Sequence, residues 1–251
     1  MKISIITVCF NSAKTLAKTI ESVAAQTYDD IEFIIVDGQS NDNTLDIIKR
    51  YEGVVSKWIS EPDKGLYDAM NKGIEMATGD LVGIINSDDT FNSNTVLAEI
   101  VAFHEVNSID ASIGNIVQHK SNGHVIRLYS SENWTPEKLK IGSMPPHPSI
   151  FFQRSLFEKY GNYLLDFKIA ADFELITRYF LINKISWKYS GITTHKMLIG
   201  GLSSSGLESY NLISKEICKA LENNSIRFAP MKIKFRFLWK LFGFVSTKYF
   251  F

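Results

Sequence analysis

The sequence predicts an α/β protein with a mostly parallel central sheet flanked by helices. Three observations lead there. Apolar, β-branched runs alternate with segments of helical spacing through the first half of the 251 residues. Those runs are apolar at nearly every position, as strands covered on both faces are. Polar turns, two of them acidic, follow three of the runs at once, where open α/β sheets bind ligands.

The elements read in order as follows. Ile3–Val8 is the first strand, and Asn11 or Ser12 caps a helix carrying Leu16, Ile20 and Val23. Ile31–Val36 is the second strand, closed by the turn Asp37-Gly38-Gln39-Ser40-Asn41-Asp42 and a helix over Thr44–Tyr51. Val54–Ser60 is a short strand. Gly65–Ala77 is a helix with Leu66, Met70, Ile74 and Ala77 on one face. Leu81–Ile85 is a strongly apolar strand followed immediately by Asn86-Ser87-Asp88-Asp89. Ala111–Trp134 predicts antiparallel strands, Pro145–Pro148 a rigid loop, Ile150–Gln153 a strand, Ser155–Tyr160 a helical turn, and Ile169–Asn183 a helix.

Formal net charge is +0, so a basic surplus of the kind nucleic-acid binders carry is absent. Cys9 and Cys218 are too few for a disulfide framework and fit buried thiols in a reducing compartment. The apolar run at the N-terminus is too short for a secretory leader, and no stretch of ~20 apolar residues predicts a membrane span.

Three polar clusters end strands: Thr7–Asn11, Asp37–Asp42 and Asn86–Asp89. On neighbouring strands they form one rim able to read sugar hydroxyls and hold a hard cation. Adjacent Asp88 and Asp89 repel and call for a compensating charge, such as Mg²⁺ or Mn²⁺ bridging a diphosphate. The competing reading is a solvated turn with a helix N-cap, and Asp37–Asp42 admits the same reading. A lone Asp172 in a helix belongs by default on a solvated face, but its apolar neighbours Ala170, Ala171, Phe173 and Leu175 suit a pocket carboxylate. His147 and His195 each fit a structural role better than a metal or substrate contact.

The pieces SIITVCFNSAKTLAKTIESVAAQTY, FIIVDGQSNDNTLDII, SEPDKGLYDAMNKGIEMATGDLVGIINSDD, HPSIFFQRSLFEKYG, AADFEL and IGGLSSS stand in order between residues 2 and 205. With them the chain resembles family 2 glycosyltransferases of the GT-A fold, especially bacterial ones that build surface polysaccharides. The resemblance implies an inverting, metal-dependent enzyme using a nucleotide-sugar, by family habit a UDP-sugar. It implies that Thr7, Phe10 and Asn11 lie under the nucleotide and that Asp37 accepts from the base. Lys64, Gly65 and Asp68 would line the donor pocket. Asp88 would touch ribose or metal, and Asp89 would hold Mn²⁺ or Mg²⁺. Asn86 stands where the family has the first aspartate of its DXD motif. Asp172 falls at the catalytic base, with Ala171 where many members have Glu. His147 falls near the acceptor side, and Gly200, Gly201 and Ser203 on a flexible loop near the donor.

The expected organisation is a glycosyltransferase domain over 1–205, with a nucleotide-binding part (1–110) and an acceptor-binding part (111–205), and a helical tail over 206–251. From Arg227 the tail interleaves Lys232, Lys234, Arg236, Lys240 and Lys248 with Phe228, Ile233, Phe235, Trp239 and Phe242. That pattern suits an amphipathic surface for anionic membranes, bringing a cytoplasmic enzyme to a lipid-linked glycan acceptor on the inner face of the cell membrane. A packing helix or dimer contact is the plainer reading. Two other functions compete. A sugar nucleotidyltransferase would want a Gly-rich loop near the N-terminus, which TVCFNSAKT lacks. A non-catalytic nucleotide- or glycan-binding module would have little use for Asp172 beside Asp88-Asp89.

Overall fold

The computed structural model describes residues 1–120, 123–198 and 207–234. The strands are β1 (Ile3–Cys9), β2 (Ile31–Asp37), β3 (Lys57–Ser60), β4 (Leu81–Ile84), β5 (Thr90–Phe91), β6 (Ala111–His119), β7 (Val125–Tyr129), β8 (Ile150–Gln153) and β9 (Trp187–Leu198). The helices are α1 (Leu16–Ala24), α2 (Thr44–Arg50), α3 (Leu66–Met76), α4 (Val96–Asn107), α5 (Ser155–Tyr160), α6 (Ala171–Ile176), α7 (Leu207–Asn223) and α8 (Pro230–Lys234). The strands form one sheet in the order β3-β2-β1-β4-β8-β6-β9-β5, with β7 beside β6.

The first half of the sheet is the parallel one. β1 pairs in parallel with β2 and with β4, and β2 pairs in parallel with β3. β8 then joins β4 antiparallel and turns the second half of the sheet around. β6 runs antiparallel to β8 and parallel to β9. The start of β8 and the ends of β6 and β9 therefore lie towards the carboxyl ends of β1, β2 and β4. One rim of the sheet collects all of these termini.

β1 shows why the strands read as continuous apolar runs. Ile6 and Val8 face one core with α3 and α6, whereas Ile3, Ile5 and Cys9 face another with α1, α2 and α4. Period-two alternation is present, but both faces meet helices, so both are apolar. β3 is an edge strand and only half-buried, which accounts for its beginning at Lys57, three residues inside the run expected from Val54.

Helix α3 approaches β1 closely because Gly73 lets it. A Cβ there would sit 2.4 Å from Cγ2 of Ile6. At the other end Gly65 holds φ +121°, a conformation that L side chains rarely adopt, and turns the chain into the helix. As the crossover between parallel strands, α3 starts at the ligand-side rim.

The helix expected over Ile169–Asn183 is α-helical through Ile176 and π-helical from Thr177 to Ile182. Arg178 in this segment forms a bidentate pair with Glu174 and donates to the carbonyls of Tyr160, Gly161 and Asn162. It thereby holds the loop that carries Tyr163. α7 and α8 pack into the same core through Ile217, Ala220, Leu221 and Ile233, so residues 207–234 of the expected tail are built onto the domain. Phe228 is partly buried there as well. Phe235, Arg236, Trp239, Lys240, Phe242 and Lys248 lie outside the described residues, as do Gly200, Gly201 and Ser203. Among the described residues no helix is long and apolar enough to cross a membrane.

Gly73→Val should lower stability by about 2 kcal/mol, since overpacking a rigid core costs on the order of 1–3 kcal/mol and Ile6 is β-branched and fully buried. Urea unfolding checks this. A midpoint equal to wild type would contradict the close approach of α3 to β1.

Candidate active site

At the end of β1, Thr7 is fully buried and donates to the carbonyl of Ile85, tying β1 to the end of β4. Phe10 follows with 63% of its surface exposed. Asn11 takes a positive φ of 51°, and its Oδ1 accepts from Asn41 N–H. Asn11 N–H donates to Ser40 Oγ and Ser12 N–H to Thr44 Oγ1, so the loops after β1 and β2 are zipped together.

Asp37 is wholly buried at the end of β2. Its Oδ2 accepts from Ser40 N–H at 2.9 Å and Ser60 Oγ at 2.7 Å, and its Oδ1 from Ser40 Oγ at 2.5 Å and Cys9 Sγ at 3.6 Å. Four donors occupy the four lone-pair sites of a carboxylate. In this geometry Asp37 ties β1, β2 and β3 together and presents no oxygen to a base. The acid that overhangs the rim is Asp63. Its Oδ2 lies 2.7 Å from where a Cβ on Gly38 would be, and its Oδ1 pairs with Lys72 at 2.7 Å. Lys72 also bridges Glu61 and Asp68 and donates to the carbonyl of Pro62, which fastens loop 61–64 to α3. Lys64 is exposed, and its backbone N–H donates to Asp68 Oδ2.

The two aspartates after β4 have different surroundings. Asp89 is 1% exposed and receives Asn86 Nδ2 at 2.8 Å and the backbone N–H of Leu198, at the end of β9, at 3.1 Å. Burial, then the charge of Asp88, pushes its carboxyl up to about 7 against the pull of those two donors. Asn86 is a donor where a third carboxylate would only add repulsion. Asp88 is half-buried, has no side-chain partner among the described residues, and is raised by burial.

Among the described residues no three His, Cys, Asp or Glu side chains converge on a metal position. A hard cation at Asp88 would thus take most of its oxygens from a bound diphosphate and water. The site fits that use, because Mg²⁺ and Mn²⁺ accept one or two protein carboxylates beside substrate phosphates.

Asp172 stands in the first turn of α6, half-buried. Its Oδ1 accepts from Tyr67 OH at 3.2 Å and from Phe173 N–H at 2.8 Å. No other residue among those described donates to Oδ2. Burial raises the carboxyl to about 6, opposed by the Phe173 and Tyr67 hydrogen bonds. Tyr67, at the rim end of α3, therefore joins Asp172 to the donor-side loops. Behind it Tyr67 stacks on Tyr163 at 5.6 Å, and Tyr163 OH meets His147 Nε2 at 2.6 Å. Burial holds His147 down to about 4, so near neutrality it is an uncharged imidazole. His195 is fully buried between Phe91 and Phe151 with Nδ1 on Thr194 Oγ1, and burial holds it down to about 3.

The structure thus gathers Phe10, Asn11, Gly65, Asp68, Asp88 and Asp172 around the rim, with Thr7, Asp37 and Asp89 bracing it from below. Sequence reasoning missed Tyr67, Tyr163, Asp63 and Lys72. All four lie in or beside the motifs it quoted, but the partners of Tyr67 and Tyr163 belong to other elements.

A family model described as "Glycosyl transferase family 2" matches residues 4–166. An uncharacterized glycosyltransferase of Mycobacterium tuberculosis is 37% identical over 182 residues, spanning 72% of this chain and 69% of that protein. A PGL/p-HBAD biosynthesis glycosyltransferase of Mycobacterium bovis is 30% identical over 228 residues, spanning 87% and 83%. The structure of S. aureus TarS 1–349 in complex with UDP-GlcNAc superposes with a TM-score of 0.71 at 20% identity, covering 95% of this chain and 72% of that one. The mannosyltransferase PcManGT from Pyrobaculum calidifontis, in complex with GDP-Man and Mn²⁺, gives 0.67 at 18% identity, covering 93% and 67%.

Tyr67→Phe removes a donor to the charged form of Asp172. The Asp172 midpoint, followed by carboxyl ¹³C NMR, should rise above about 6. A fall, or no change, would mean that the hydroxyl does not act on this carboxylate.

Proposed function

The chain belongs to glycosyl transferase family 2, and on that premise we propose that it is an inverting enzyme that moves a sugar from a UDP-sugar to an acceptor hydroxyl, with Asp172 as general base. One observation carries the base assignment. Asp172 is a half-buried carboxyl raised to about 6, steadied on Oδ1 by Tyr67 and Phe173 while Oδ2 is left for a proton. A carboxylate with that value is ionised at neutral pH yet basic enough to take a proton from an attacking hydroxyl.

The reaction is a single in-line displacement. The acceptor oxygen attacks the anomeric carbon as its proton passes to Asp172 Oδ2. The bond from the anomeric carbon to the diphosphate breaks, and its electron pair leaves with the nucleoside diphosphate. Inversion follows from one displacement, and the transition state has oxocarbenium character. A divalent cation, when bound, neutralises charge on the departing diphosphate. Asp88 would hold it, and Asp89 would add its negative charge from beneath while anchoring the end of β9. Phe10, exposed at the rim beside Gly38 and Asp63, offers an apolar surface for the base, and Lys64 a cation near the phosphates. Asp37 sets the rim's shape from below.

The S. aureus TarS complex with UDP-GlcNAc supports uridine as the base, and the Mn²⁺ complex of PcManGT supports Mn²⁺. A lipid-linked acceptor and attachment to a membrane surface through the basic, aromatic segment from Phe235 onward complete the reading. Its support is the composition of that segment.

Asp172→Asn should lower turnover about 10²–10⁴-fold, the usual share of a positioned base, with donor binding unchanged. Wild-type turnover should fall as pH drops through about 6, because protonated Asp172 cannot accept. Normal turnover of the variant would remove Asp172 from the role. Asp88→Ala should abolish the Mn²⁺ dependence of UDP binding in calorimetry, and a titration like wild type would place the cation elsewhere.

A further inference from the structure

The chain just ahead of Asp172 is gripped by a carboxylate from the C-terminal helix. Glu216 lies on α7 with 7% of its surface exposed. Its Oε1 accepts from Lys168 N–H, and its Oε2 from Ile169 N–H and Ala170 N–H, each at 2.9 Å. Three successive backbone donors thus converge on one buried side chain, two residues short of Asp172. Removing the acceptor would orphan all three. The family match ends at residue 166, so this clamp and the base it adjoins both lie beyond it.

Nothing else among the described residues holds 168–170 in this way. Ala170 and Ala171 are buried and carry no polar side chain. Glu174, on the same helix as Asp172, is committed to Arg178. Fixing 168–170 fixes where α6 begins, and so where the Asp172 carboxyl stands relative to Tyr67. The nearest neighbour of Glu216 along α7, Ile217, is buried in the main core and seats the helix.

We propose that Glu216 is a positioning residue for Asp172, acting through its grip on the backbone of residues 168–170. The proposal builds on the assignment of Asp172 as base. Electrostatics point the same way. Burial dominates the raised value of Asp172, and the charge of Glu216 adds to it. The other groups facing that carboxylate are Tyr67 on α3, which lowers it, and Tyr163 in the loop before α6.

The test compares Glu216→Gln, Ile217→Ala and Asp172→Asn in the full chain, using Mn²⁺-dependent hydrolysis of whichever UDP-sugar the wild type cleaves fastest. Gln keeps one oxygen for two of the three amides and so preserves the fold. Glu216→Gln should lower kcat about tenfold or more with the donor KM within about twofold. It should also move the acidic limb of the rate profile, and the NMR midpoint of Asp172, to lower pH. Ile217→Ala, which loosens the helix but keeps the carboxylate, should lower Tm without moving that limb. Wild-type kcat and an unmoved midpoint in Glu216→Gln would overturn the proposal. So would parallel losses of kcat and UDP affinity, or an equal shift of the limb in Ile217→Ala. If Asp172→Asn stays fully active, it is the base assignment that fails. If Asp172→Asn is inactive while Glu216→Gln is normal, only the clamp fails.

Discussion

The parallel pairing of β1 with β2 on one side and β4 on the other is the constraint from which the site follows. Parallel neighbours end at the same edge, so the chain must leave each at one rim. The register is continuous from Ile3 opposite Ile31 to Cys9 opposite Asp37. Both faces of these strands are closed by helices, so the rim is where their polar termini can reach a ligand. β8 and β9 then add to it from the other half of the sheet, bringing the His147 loop and Leu198 to the same edge.

The acids at this rim divide by how their oxygens are occupied. Asp37 and Asp89 are buried, and each of their oxygens holds a donor from the fold. Lys72 answers Glu61, Asp63 and Asp68 together. Asp88 and Asp172 are only half-buried and retain oxygens without a protein donor among the described residues. A carboxylate that braces the fold has to be satisfied by it, whereas one that works on a substrate has to be left incomplete.

The parallel strands were legible because both their faces are apolar, which leaves an unbroken hydrophobic run. The edge strand β3 was legible only in part, since half of it meets water. The helix around Asp172 was visible from its spacing, but its change to π hydrogen bonding was not, as apolar periodicity barely differs between the two. At the site, residue types and order pointed to the acids. They did not tell that Asp37 and Asp89 face inward, because Ser60 and Leu198, which donate to them, come from elements distant in sequence. Glu216 carried no signal at all: a lone acid on an amphipathic helix reads as solvated until its partners are known.

The π-helical stretch from Thr177 to Ile182 has a consequence for how this region tolerates change in chain length. A π turn carries more residues per turn than an α turn and behaves as a local insertion absorbed without breaking the helix. Tyr179 and Phe180 reach Phe152 from this widened register, and Phe180 also meets Trp134 and Trp187. Deleting a single residue here would restore ordinary α geometry and rotate both rings out of that aromatic nest. Here the count of residues between Asp172 and β9 is itself a packing requirement.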